Sequence, residues 1–64
     1  MNSLELEMKN KGVSRNMMSE ETQISLPTLR KYLKDPTKFP VGKARRISRM
    51  LDVDEAYGFS VLFV

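Results

Sequence analysis

The stretch "QISLPTLRKYLK" (residues 23–34) decides how this chain is read. Ser25 can accept a hydrogen bond from the backbone N–H of the second or third residue of a following helix. Pro27 then falls in the first turn, where a missing N–H costs nothing because no intrahelical acceptor exists for it. The proline therefore fixes where the helix begins, and the helix runs over about 26–34. Leu29, Tyr32 and Leu33 recur at i, i+3 and i+4 and form its inward stripe. Thr28, Arg30, Lys31 and Lys34 fall largely outside that stripe. Ile24, isolated between two helical patterns, reads as the plug of a tight turn.

Working outward, "SRNMMSEET" (14–22) reads as a short helix capped by Ser14. Met17 and Met18 supply its apolar contacts, and Glu20 and Glu21 lie on its wet side. Ahead of it, Asn2 or Ser3 caps a first helix with Leu4 and Met8 on one face. Gly12 ends that helix, since glycine takes the left-handed conformation without steric cost. Downstream, "DPTKFP" (35–40) is a loop anchored by Phe39. A fourth helix is expected over Val41–Asp52, with Val41, Ala44, Ile47 and Met50 or Leu51 facing inward. Asp54 can cap the final segment, "EAYGFSVLFV", where Tyr57, Phe59, Val61 and Phe63 suit a short helix. The strand-like composition of "FSVLFV" and the presence of Gly58 leave a strand open over 54–64.

Composition narrows the function classes. The 64 residues include no cysteine and no histidine. Disulfides and thiolate metal sites are excluded, and the commonest metal ligand and general base is absent. Serine has no histidine to activate it, and Gly12, Gly42 and Gly58 are too isolated to form a phosphate loop. The expectation is a protein that is not an enzyme and uses no metal or cofactor. The N-terminus lacks a signal-peptide pattern, and "VLFV" (61–64) is too short to span a bilayer. A soluble cytoplasmic protein, one domain over residues 1–64, is expected.

Net charge is only +3, but it is unevenly placed. Arg30, Lys31, Lys34, Lys38, Lys43, Arg45, Arg46 and Arg49 face Asp35 as the single carboxylate between residues 30 and 49. Asp52, Asp54 and Glu55 then make the C-terminal stretch acidic. A cluster of this kind is the footprint of a polyanion-binding face.

From Lys11 to Val53 the chain resembles the helix-turn-helix domain of lambda-repressor-like and Cro-like regulators (the XRE family), of the small phage or mobile-element type. "KGVS" (11–14) is similar to the family's start of the second helix, and Met18 and Ser19 match that helix's large-apolar and small positions. "QIS" (23–25) resembles the family's Gly-apolar-Ser turn, with Gln23 in place of glycine. Thr28, Leu29 and Tyr32 match the recognition helix, Pro40 the proline before helix four, and "ISRMLDV" (47–53) that helix's end. Leu26 and Pro27 depart from the polar residues common at base-reading positions, and Val41–Gly42 lacks the usual Ser or Thr cap. Locally, "TLRKYLKDP" also looks like the helix-turn-helix of some insertion-sequence transposases.

The resemblance implies an all-α, compact five-helix fold with its helix-turn-helix unit over about 14–34. It implies a sequence-specific regulator of transcription bound to double-stranded DNA. Leu26, Pro27, Thr28, Arg30 and Lys31 would then meet base edges in the major groove. Arg15, Ser25, Lys34, Lys38 and Lys43 would meet phosphates. The alternative is an antirepressor or adaptor of the same fold that binds a regulatory protein through its apolar C-terminus. A homodimer is a further expectation, with Phe63 and Val64 leading the contact.

Overall fold

The computed structural model describes residues 2–64 of the chain. Five helices follow one another with short connections, and no strand occurs among the described residues. Helix α1 (Ser3–Lys11) is capped by Asn2, whose side chain accepts from the Glu5 N–H at 2.9 Å while the Glu5 carboxylate accepts from the Asn2 N–H at 3.3 Å. This reciprocal box satisfies two otherwise orphaned donors. Gly12 closes α1 in the left-handed region at φ 72°, and the Val13 N–H reaches back to the Met8 carbonyl at 2.9 Å. Helix α2 (Arg15–Thr22) is capped by Ser14, α3 spans Leu26–Lys34, and a single 3₁₀ turn covers Pro36–Lys38. Helix α4 spans Val41–Met50 and stops at Asp52, which takes φ 55°. A short polar side chain makes that conformation tolerable.

The C-terminal segment is helical rather than extended. Helix α5 (Glu55–Tyr57) starts at an Asp54 cap and continues as a π-helical turn over Gly58–Leu62. The Asp54 side chain starts that helix by accepting from the Ala56 N–H, and Gly58 within it is buried against α4. A Cβ there would sit 2.6 Å from the Ser48 Oγ. The glycine expected to weaken a helix is thus what lets this one approach α4.

Leu4, Met8, Met18, Ile24, Leu29, Leu33, Phe39, Ala44, Ile47, Leu51, Leu62 and Phe63 form one continuous core. Phe39 lies at its aromatic end, 5.1 Å from the Tyr32 ring and 5.5 Å edge-on to Phe63. Two positions expected to make apolar contacts differ: Met17 is exposed beside the buried Met18, and Val41, the first residue of α4, is exposed at the helix end. Tyr57 and Val61 of the closing segment are exposed as well. Two buried hydroxyls take part in the core: Thr22 donates to the Met18 carbonyl at 2.7 Å and Ser48 to the Ala44 carbonyl at 3.1 Å. Among the described residues no buried side-chain nitrogen or oxygen lacks a partner.

The close approach at Gly58 gives a direct test. Gly58→Ala should lower stability by about 1 kcal/mol net, as overpacking outweighs the gain in helix propensity. In a Ser48→Ala background the obstructing oxygen is gone, and the same substitution should become stabilising. Urea unfolding of the four proteins reads the coupling; additive effects would show that the Gly58–Ser48 contact does not limit the packing.

Candidate nucleic-acid interface

Helices α2 and α3 are joined through Gln23, Ile24 and Ser25. Gln23 takes φ 58°, the left-handed conformation that reverses the chain, and Ile24 buries its side chain beneath the turn. Two distant groups secure the turn's carbonyls. The Ser19 hydroxyl donates to the Ile24 carbonyl at 2.5 Å, and the Lys43 ammonium donates to the Thr22 carbonyl at 2.6 Å. Lys43 therefore serves α2 as a C-terminal cap, a role that sequence reading missed because the partners lie 21 residues apart. The far end of α3 is tied to α1, where the Asn2 amide donates to the Leu33 carbonyl at 2.5 Å.

The first turn of α3 differs from its expected capping. Ser25 occupies the N-cap, yet its side chain accepts no backbone hydrogen bond. Pro27 is the second helical residue and has no N–H to offer. The Ser25 hydroxyl instead donates to the Thr28 hydroxyl at 3.0 Å. Leu29 and Leu33 are buried, with Leu26 and Tyr32 partly buried against the core. Pro27, Arg30, Lys31 and Lys34 are exposed, and Thr28 is half-buried at the edge of that face. Leu26, expected among the base-reading residues, thus turns part of its surface inward, because it continues the Leu29–Leu33 stripe.

The basic residues divide into two groups. On α4, Arg45 and Arg49 lie 3.8 and 4.0 Å from Glu55, and Arg46 lies 3.4 Å from Glu21. Arg15, at the start of α2, lies 3.5 Å from Glu5. Among the described residues, Arg30, Lys31, Lys34 and Lys38 make no ion pair. Exposed pairs of this type add little stability, but they cancel local field. All four cations of α3 and the 3₁₀ turn after it are thus without an ion pair, whereas on α4 Arg46 has Glu21 and Arg45 and Arg49 share Glu55; at the nearby N-terminus of α2 the Met17 N–H is taken by the Ser14 cap. An amphipathic helix presenting that charge matches the dimensions and polarity of a DNA major groove.

At the C-terminus, Phe63 is 8% exposed and Val64 68%. The Phe63 ring packs edge-on against Phe39 at the rim of the core. Of the two C-terminal residues, only Val64 remains free at the surface. No helix among the described residues is long and apolar enough to cross a membrane.

Comparison with known proteins agrees with this geometry. The helix-turn-helix family matches residues 4–58, from the first turn of α1 to the end of α5. No curated protein and no solved structure matches the chain. The turn at Gln23, the exposed basic face of α3 and a match over most of the sequence lead to one conclusion: the chain belongs to the XRE-type helix-turn-helix family, whose domains bind double-stranded DNA.

Proposed function

We propose that the protein is a Cro- or repressor-like regulator of transcription that recognises a specific duplex sequence through α3. The observation that carries this reading is the uncompensated charge of Arg30, Lys31, Lys34 and Lys38, set against the paired arginines of α4. Residues at the N-terminal half of α3 meet base edges, since that end of a recognition helix enters the major groove. Arg30 and Lys31 donate to guanine O6 and N7, and Thr28 meets a base edge or a thymine methyl. Pro27 and the exposed edge of Leu26 offer apolar contact to thymine methyls. Lys34 and Lys38, past the base-reading half, lie along the phosphates with Ser25 and Arg15. Lys43 has two ammonium protons left after its bond to Thr22, enough for a phosphate as well.

One such domain reads a half-site, and pairs of domains read two half-sites related by a two-fold axis. Tyr57, Val61 and Val64 leave apolar surface exposed at the C-terminal end, and this supports pairing there. The dimer contact we propose therefore keeps Val64 and replaces Phe63 by Val61 and Tyr57.

Binding of selected and random duplexes over a salt series tests the reading. Per half-site, log K should fall against log salt with a slope between about −3 and −4. Lys34→Ala should weaken all sequences alike and flatten the slope by about one. Lys31→Ala should instead relax preference at one base position by about 1–3 kcal/mol. A slope near zero for the intact protein would remove the DNA-binding role. For the dimer, Val61→Glu with Val64→Glu leaves Leu62 and Phe63 in the core. That variant should sediment as a folded monomer, keep its half-site affinity and lose tight binding to a paired site. If the intact protein is monomeric both free and on a paired site, pairing through this surface is wrong.

A further inference from the structure

A groove of about 430 Å³ lies between α1, α2 and α3, and Glu5, Lys9, Arg15 and Arg30 are among the residues lining it. A smaller hollow of about 220 Å³ is lined by Glu5, Arg15, Arg30, Leu33 and Lys34. Glu5 is the single carboxylate lining either one, and each other charged group there is a cation. Its position is fixed from two sides. One carboxylate oxygen accepts from the Asn2 N–H at 3.3 Å, and the Asn2 amide is itself bonded to the Leu33 carbonyl of α3. The other oxygen faces Arg15 Nη2 at 3.5 Å. The Glu5 side chain is 27% exposed and that of Arg15 55%, so the guanidinium is the outer member of the pair.

A pair this open does little for stability. Its effect falls on what Arg15 can do next. Arg15 heads α2, where the backbone N–H groups and the helix dipole favour an anion. A DNA phosphate arriving there meets a guanidinium whose charge Glu5 already neutralises. We propose that Glu5 is an affinity-limiting positioning residue: it occupies Arg15 as a built-in anion and thereby lowers the sequence-independent part of DNA binding. The proposal rests on the reading of α2 and α3 as a DNA-binding surface. Because phosphates carry no sequence information, the effect is uniform across sequences and leaves the base contacts of α3 untouched.

Glu5→Gln tests this, since the amide oxygen still accepts from the Asn2 N–H and only the charge is lost. Affinity for random and selected duplexes should rise by the same factor, about five- to tenfold near 0.1 M salt, as one more phosphate is neutralised. The salt slope should steepen by about 0.9, with base preference unchanged. In an Arg15→Gln background the gain should vanish, because it acts through that guanidinium. Glu5→Asp, one methylene short of Arg15, should show part of the gain and keeps the test open if the glutamine variant does not fold. Weaker or unchanged binding in the Glu5 variants, or a gain that survives without Arg15, overturns the proposal. If the unaltered protein fails to bind duplex at all, it is the DNA-binding reading that fails, and the two failures are distinguishable.

Discussion

Gln23 holds the left-handed turn between α2 and α3, and the placement of the exposed basic face of α3 depends on it. A non-glycine residue there costs about 1–2 kcal/mol. The fold offsets this cost locally. Ile24 is pressed into the core directly after the turn, and the carbonyls of Thr22 and Ile24 are taken up by Lys43 and Ser19. Each such bond contributes about 1 kcal/mol net, and leaving its carbonyl unsatisfied would cost more. The turn is thus held by α4 as much as by its own sequence. An exposed loop with the same sequence would have no reason to keep this shape.

A chain of this size has little core to distribute, and each element adds only a few side chains to it. That scarcity explains the behaviour of the C-terminal segment. Leu62 and Phe63 are needed to cover Phe39 and α4, and Gly58 permits the approach by omitting a Cβ. Apolar residues that look surplus in the sequence are mostly spent inside. What remains outside is Tyr57, Val61 and Val64.

Charge is partitioned as economically as apolar area. The acidic residues are few, and Glu5, Glu21 and Glu55 are placed against Arg15, Arg46 and the Arg45–Arg49 pair. Charge on α4 is reduced, with two arginines sharing Glu55, while the cations of α3 keep theirs in full. Net charge alone describes a mildly basic protein; pairing makes it a directional one.

The sequence by itself determined the first four helices and most of their ends, because caps and breakers act within a few residues; α4 stops at Met50, two residues short of the expected Asp52. Ser14, Gly12, Pro27, Asp54 and the Leu29–Leu33 stripe are legible for that reason, and so is the helix-turn-helix resemblance they carry. Asn2 was legible as one of two cap candidates for α1, though the reciprocal bond from Glu5 and its link to Arg15 were not read there. The tertiary structure alone decided which neighbours satisfy which groups across 10 residues or more. Lys43 crossed to Thr22, and Arg46 found Glu21. Which residues of the C-terminal helix are buried was decided in the same way, with Gly58 lying against Ser48 and Phe63 against Phe39. Local propensity measures a residue against its own backbone, whereas pairing and close approach depend on which surfaces the completed fold brings together.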